Sequence, residues 1–474
     1  MKPFVVIGGD AAGLSAASKL RRDDPDRDVI VFEKGRWVSY AHCGTPYFVK
    51  GDVDHLVDLQ SLSPEEIDGR GVDLRREHEV IDVTTDDKTV TVEGSDGRFV
   101  QEYGDLLVAT GARAFVPFDG AELDRVFTLH GLGSAARVRA LLEEPEGFDV
   151  GSLGGGGYID EEEVARYGNA EPPETVAVVG GGYVGVEMCE AFRAYDVDVD
   201  LFQRSGEVLP DFGDAVAQRV EGVMRENGVT VHTDTEVEAL VDDGEGGVGG
   251  VETPEGTVGT DAALVGVGIR PNSEPVPDEV ETGESGAIAV DRYGRTSAED
   301  VYAAGDCAEA HHVVTGGTTW VPLGLTANRA GRAVGATVAG EPTPTGGVAG
   351  TATVKAFELE CGRTGLVDEE EARAAGYEPV VETVDTRSRA GYYPGGSEIT
   401  VRLVADRGTE RLLGGATVGE DRSAIRIDTV ATAVEAGMSV EEVERLDLGY
   451  APPFSPVWDP VLVAAKVLNG RLQG

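Results

Sequence analysis

The chain has 474 residues, 41% of them hydrophobic, and 86 Asp plus Glu stand against 40 Lys plus Arg, a formal net charge of −46. That length exceeds one ordinary core and implies two or three domains, while the hydrophobic share excludes disorder of the whole chain. The acidity disfavours nucleic acids and anionic membranes as partners, since counterion release needs a basic face. With only seven lysines, it also predicts a protein adapted to a high-salt cytoplasm, where ions screen the acid surface.

Phe4–Ile7 reads as a buried strand, Ala11–Arg22 as a helix and Val29–Phe32 as the next strand, ending at Glu33: a βαβ unit. The apolar start is too short for a signal peptide, and no apolar run approaches the roughly 18 residues of a membrane span. The first turn, Gly8-Gly9-Asp10-Ala11-Ala12-Gly13, is a dinucleotide fingerprint with Asp10 in the middle glycine position. Gly8 and Gly13 can still give the tight turn and close helix packing, and the helix N-terminus attracts a pyrophosphate. Glu33, closing the second strand, is placed to hold a ribose diol.

Cys43 follows in the stretch Ser39–Tyr47. It has three companions, Cys189, Cys307 and Cys361, all far off in sequence. No C-x-x-C pair exists, which excludes a thiolate zinc site or a disulfide scaffold and fits a reducing cytosol. Gly44-Thr45-Pro46 opens a helix after Cys43, and a helix N-terminus lowers a thiol pKa; the competing reading is an inert buried thiol. Cys189 and Cys307 read as packing residues, and Cys361 has no motif around it.

Leu106–Ala109 is another buried strand, stopped by Thr110-Gly111. Residues 143–173, with the run Gly154-Gly155-Gly156-Gly157, read as a solvated insertion between domains holding one short helix near Asp160–Tyr167. A second βαβ unit follows: strand Val176–Val179, helix Tyr183–Tyr195, strand Val199–Phe202. Its fingerprint is intact, with Gly180, Gly182 and Gly185 in register and Tyr183 opening the helix. Gln203 stands where the first unit has Glu33, and Arg204 follows; loss of the acid and gain of a guanidinium favour NADPH over NADH. A merely solvated arginine is the alternative.

Val301–Ala304 forms a strand ending in Gly305-Asp306, where small residues admit a flavin cofactor and Asp306 can bond a ribityl hydroxyl. A helix over Leu325–Val338 would aim its dipole at the flavin ring. A breaker at residues 340–347 precedes an α+β module with strands Ile399–Val404 and Leu412–Val418 and a helix over Ala424–Gly437. The fold class is therefore α/β, with two Rossmann-like nucleotide-binding domains and a C-terminal α+β domain. An FAD domain spans residues 1–114 and 288–345, an NAD(P)H domain 115–287, and the third domain 350–474. The expected FAD contacts are Gly8, Gly9, Asp10, Ala11, Ala12, Gly13, Glu33, Thr110, Gly111, Gly305 and Asp306.

These residues, with Tyr392-Tyr393-Pro394-Gly395 and Tyr450-Ala451-Pro452-Pro453-Phe454-Ser455, resemble the pyridine nucleotide-disulfide oxidoreductases. Within that family they are most similar to coenzyme A disulfide reductases and single-cysteine NAD(P)H oxidases. The resemblance implies FAD, NAD(P)H and a homodimer built by the C-terminal domain. It also implies that Tyr392 and Tyr450 reach the partner subunit's active-site cysteine, here matched by Cys43. In that mechanism one protein cysteine forms a mixed disulfide with coenzyme A, and the substrate supplies the second sulfur. Two-cysteine reductases of the family need Cys-x4-Cys, and Phe48 occupies the second position.

The family's substrate positions fall on Ser15, Lys19, Arg22, Ser39 and His42. Lys19, Arg21 and Arg22 form a basic cluster suited to the phosphates of coenzyme A, or else one that balances Asp23, Asp24 and Asp26. His42 replaces a common asparagine, and Gly71, Asn328 and Trp458 stand where some members carry basic contacts. Oxidases and peroxidases of the group carry a histidine where this chain has Ala11, which favours a disulfide, persulfide or polysulfide acceptor over oxygen or peroxide. A redox sensor that binds both nucleotides without turnover is a reading of another class.

Overall fold

The computed structural model describes residues 2–474. The first domain opens with β1 (Phe4–Ile7), α1 (Ala11–Asp23) and β2 (Val29–Glu33), then the short helices α2 (Thr45–Lys50) and α3 (Pro64–Asp68). It continues through β3 (Asp73–Arg76), β4 (His78–Thr84), β5 (Thr89–Gly94), β6 (Gly97–Glu102) and β7 (Asp105–Val108). A thin ribbon strand, β8 (Ala112–Ala114), leads into the second domain.

The second domain holds β9 (Val126–Phe127), α4 (Leu132–Leu142), α5 (Glu161–Gly168), β10 (Thr175–Val179), α6 (Tyr183–Arg193), β11 (Asp198–Phe202) and α7 (Asp214–Glu226). Next come β12 (Val229–His232), β13 (Ala239–Asp242), β14 (Val248–Thr253), β15 (Gly256–Gly259) and β16 (Ala262–Val265). Then β17 (Ile269–Pro271) pairs antiparallel with β8 and carries the chain back. The return adds β18 (Val301–Ala303), the small hairpin β19 (Ala310–His311) and β20 (Thr318–Thr319), and α8 (Gly324–Val338).

The two nucleotide domains share one plan. The first sheet runs β18-β7-β1-β2-β3 and the second β12-β11-β10-β16-β9. The inner strands pair in parallel and are apolar on both faces, as expected for sheets covered on both sides. Helices α1 and α8 lie so close that a Cβ on Gly331 would sit 2.1 Å from the Ala12 carbonyl oxygen and one on Gly335 2.4 Å from that of Ala16. Small residues on both helices thus let the first turns of α1 pack backbone to backbone against the middle of α8.

The third domain is a five-stranded antiparallel sheet, ordered β21 (Ala352–Ala356), β22 (Leu359–Gly365), β25 (Leu412–Gly419), β24 (Glu398–Asp406) and β23 (Pro379–Arg387). Its helices are α9 (Glu369–Ala374), α10 (Ser423–Glu435), α11 (Val440–Glu444) and α12 (Pro460–Gln473). Ile427, Val430 and Val434 of α10 and Val461, Ala465 and Leu468 of α12 share one core with Leu403 and Leu412.

Two sequence expectations change. Residues 143–173 are not a solvated linker: Leu153, Ile159, Val164 and Tyr167 are buried in the same core as Leu132, Val176 and Leu56. The glycine run makes the close approach possible, because Gly154 (φ +64°) would put a Cβ 2.5 Å from the Cβ of His55. The return to the first domain also comes earlier than residue 288: Val276 and Val280 already pack with Val5, Ile7 and Ile30.

Candidate active site

The two glycine loops are near copies. Gly8 (φ +110°) would place a Cβ 2.1 Å from the Ala109 carbonyl oxygen, and Gly180 (φ +106°) one 2.4 Å from that of Gly266. A Cβ on Gly13 would lie 2.0 Å from the Gly8 oxygen, and one on Gly185 1.8 Å from that of Gly180. Only glycine fits at these four places, which lets each strand turn tightly into a helix N-terminus, the kind of end that attracts a phosphate.

At the ends of the second strands the correspondence continues. Glu33 Oε2 accepts from Gly9 N at 2.8 Å, and Gln203 Oε1 accepts from Gly181 N at 2.8 Å. Glu33 also accepts from Gly35 N at 2.6 Å, and burial raises its pKa against the pull of these two backbone bonds. Gln203 Nε2 donates to Ser205 Oγ at 2.5 Å, while Arg204 is exposed, with no ion pair among the described residues.

Gly305 (φ +85°) lies against α1, where a Cβ would be 3.1 Å from that of Ala12. The Asp306 carboxylate receives no hydrogen bond from the described residues although it is part-buried, and burial raises its pKa, with His42 opposing and Asp10 adding to the rise. A withdrawn acceptor without a partner, beside a phosphate-ready loop, fits a hydroxylated dinucleotide such as FAD. Thr110 and Gly111 mark the crossover: Thr110 Oγ1 donates to Asn272 O at 2.5 Å and Asn272 N to Gly111 O at 2.9 Å.

Cys43 is exposed, whereas Cys189, Cys307 and Cys361 are buried. It sits in the 3-10 turn His42–Gly44 just before α2. The expected lowering of its pKa does not occur: partial withdrawal from water raises it, and the negative charges of Glu187 and Asp306 add to the rise. The six-residue α2 is too short for its dipole to outweigh two carboxylates.

Sequence reading missed Glu187 and its partner. Tyr47, on α2, donates from its hydroxyl to Glu187 Oε1 on α6 at 2.8 Å. Burial lifts the Glu187 pKa to about 7, opposed by the Tyr47 bond and a backbone bond from Lys355. One helical turn on, Glu190 Oε1 pairs with Lys50 at 2.9 Å and with Lys355, and its Oε2 accepts from Phe357 N at 2.9 Å. All three domains therefore meet on α6 beside the thiol. The available signal was a carboxylate two residues past Gly185, on a helix otherwise apolar at that end.

Asp10 does more than replace a glycine. Its Oδ2 is 2.6 Å from His42 Nε2, and its Oδ1 accepts from Tyr40 N at 3.2 Å. Ser39 (φ +52°) donates its N–H to Gly9 O at 3.1 Å, which fixes the cysteine loop onto the first glycine loop. The basic cluster is largely spoken for. Lys19 pairs with Asp23 at 2.6 Å, and Arg21 donates to the carbonyls of Pro25 and Arg27 at 2.6 and 2.8 Å. Arg22 stays exposed, with no ion pair among the described residues, and Ser15 Oγ donates to Asn328 Oδ1 at 2.8 Å. Tyr392 and Tyr450 come together, hydroxyl to hydroxyl at 3.4 Å, on a face that also exposes Phe454, Val457 and Trp458.

Residues 2–333 match the pyridine nucleotide-disulphide oxidoreductase family, and residues 351–460 match its dimerisation domain. The chain belongs to the pyridine nucleotide-disulphide oxidoreductases. That family binds FAD and NAD(P)H. A NAD(P)H coenzyme A polysulfide/persulfide reductase of Pyrococcus horikoshii is 38% identical over 472 residues, 99% of this chain and 98% of that protein. A coenzyme A disulfide reductase of Staphylococcus haemolyticus is 27% identical, over 96% of both chains. The structure of a NAD-dependent persulfide reductase from A. fulgidus superposes with a TM-score of 0.90 at 34% identity, covering 100% of this chain and 84% of the other. Among the described residues no helix is long and apolar enough to cross a membrane.

Proposed function

We propose that this oxidoreductase reduces a sulfur–sulfur bond in a coenzyme A derivative, with Cys43 as the attacking thiol. The observation that carries the reading is the contrast among the cysteines: Cys43 alone is exposed, and it lies within electrostatic reach of Asp306. The first glycine loop and Asp306 would hold FAD, which when bound would supply the two electrons drawn from NAD(P)H. Cys43, as thiolate, attacks one sulfur of the substrate; its S–S bond breaks, a thiol leaves with one proton, and a mixed disulfide forms. Two electrons and a second proton then release the other thiol and restore Cys43. Glu187, poised near neutrality by burial, is placed to hold the proton that the Cys43 thiol gives up.

Coenzyme A disulfide and coenzyme A persulfide or polysulfide are both accommodated by this chemistry. The higher identity to the persulfide reductase, 38% against 27%, favours the persulfide branch. Arg22, exposed on α1, is assigned to the substrate, together with Ser15 and Ser39. Arg204 and the neutral Gln203 support NADPH over NADH. The exposed patch around Tyr392, Tyr450 and Phe454 supports a homodimer through the third domain. The charge of −46 supports a salt requirement, which thermal unfolding across a KCl series checks directly.

The deciding assay follows NADPH oxidation with coenzyme A disulfide, coenzyme A persulfide, oxygen and peroxide, in the wild type and Cys43→Ser. The expected result is turnover with a sulfur acceptor that falls at least about a thousandfold in the variant. Equal turnover in both proteins would remove Cys43 from the reaction, and oxygen as the preferred acceptor would move the protein to the oxidase branch.

A further inference from the structure

The segment 143–173 belongs to neither glycine loop, yet its tip reaches the loop after Glu33, which is bonded to the first one. The ring of Tyr158 stacks on Trp37, centroids 4.6 Å apart and planes at 26°. On the same ring lies the guanidinium of Arg76, 5.1 Å from the centroid. Arg76 ends β3 directly opposite Glu33 in the parallel register, so both side chains leave the same face of the sheet at its carboxyl edge. Arg76 also donates to the Arg36 carbonyl at 2.9 Å. Glu33, Gly35, Arg36 and Trp37 thus form one short loop: its first residue is bonded to Gly9 and Gly35, its last is covered by Tyr158.

The rest of the segment secures that tip. Ile159 and Val164 are buried, Asp160 caps α5 by accepting from Glu163 N at 3.0 Å, and Arg137 of α4 donates to Glu163 at 2.9 Å. Behind the stack lies an open cavity bordered by Trp37, Ser134, Arg137, Tyr158 and Glu163. The Trp37 indole Nε1 is buried with no hydrogen-bond partner, an unmet donor of the kind that calls for a functional reason.

We propose that the 143–173 segment is a strap over the ribose end of the FAD site, and that Tyr158 is a positioning residue which holds the Glu33 loop through Trp37 and Arg76. This rests on the assignment of FAD to the first glycine loop. The strap slows FAD release by keeping Glu33 aimed at the ribose diol; it leaves the second loop, and so NAD(P)H affinity, untouched. A plain inter-domain brace would instead weaken both sites together, since α4 and α5 stand on the second domain.

The test uses the holoenzyme as purified, diluted into flavin-free buffer while flavin fluorescence reports release, with KM for NADPH measured in parallel. Tyr158→Ala is expected to release FAD about tenfold faster, a loss of about 1.4 kcal/mol, with KM for NADPH within twofold of wild type. Tyr158→Phe, which keeps the ring, is expected to release FAD at the wild-type rate. Should Tyr158→Ala not fold, Arg76→Gln removes the cation from the ring while leaving the strap's packing, and faster release is again expected. Wild-type retention of FAD in Tyr158→Ala or Arg76→Gln overturns the proposal, as does a parallel rise in KM for NADPH. A wild-type protein that binds no flavin overturns the FAD assignment itself, a result distinct from any variant's behaviour.

Discussion

The two glycine loops have the same backbone and different chemistry. In each, a second-strand residue clamps the second glycine at 2.8 Å, through a carboxylate oxygen of Glu33 in one and an amide oxygen of Gln203 in the other. The clamp therefore needs only an acceptor, and the charge is free to serve the ligand. Burial raises the Glu33 pKa, and the backbone N–H groups of Gly9 and Gly35 oppose that rise. Gln203 gives up the charge, and Arg204 beside it offers an exposed cation. The middle glycine teaches the same lesson: Gly182 is bare, while Asp10 ties the first loop to His42 and so to the cysteine turn. The first loop is tied to the cysteine turn by its own Asp10, whereas the second approaches the thiol through Glu187 on the helix it opens.

The largest expected effect separates the loops outright. Gly13→Val and Gly185→Val each force a side chain into a carbonyl oxygen at 2.0 Å or less. Gly13→Val is expected to abolish flavin binding, read from visible absorbance; Gly185→Val is expected to keep flavin yet lose more than about a hundredfold in NADPH oxidation. Loss of flavin in both would show that the loops are not independent. Next, Gln203→Glu with Arg204→Ala makes the second loop resemble the first. The ratio of kcat/KM for NADPH over NADH is expected to fall between about tenfold and a hundredfold, the weight of one charge-assisted bond, and an unchanged ratio would return Arg204 to the solvated surface.

A smaller effect concerns the junction between the loops. The folded-state pKa of Glu187, about 7, lies above its ordinary 4.5, so the folded protein binds the extra proton in between. Its stabilising contribution is complete below about 4.5 and is lost as the pH rises through about 7. Glu187→Gln is expected to flatten that part of the unfolding profile. Because an ionised Glu187 raises the Cys43 pKa, the variant is also expected to be alkylated a few-fold faster by iodoacetamide at pH 8. Slower alkylation would contradict the assigned electrostatics.

Much of this was legible in the sequence. The inner strands Phe4–Ile7 and Val176–Val179 declared themselves because both faces are buried, and the glycines because backbone contacts exclude any Cβ. Cys43 stood out by its turn. What was hidden depended on distant partners. The upward shift of the thiol comes first from burial and then from the carboxylates at 187 and 306, which no local dipole argument could weigh. The strap looked solvated because its four buried anchors, Leu153, Ile159, Val164 and Tyr167, are scattered among glycines and acids without a helical or strand period. The basic cluster on α1 looked free because Arg21 caps carbonyls that only the folded turn presents.

The central claim is that one sulfur accepts the substrate. Native protein mixed with coenzyme A disulfide in the absence of NAD(P)H, then digested and mapped by mass spectrometry, addresses it directly. The account predicts a single coenzyme A adduct, on the peptide containing Cys43. An adduct on Cys189, Cys307 or Cys361, or a Cys43 peptide that stays unmodified while the disulfide is consumed, would contradict it.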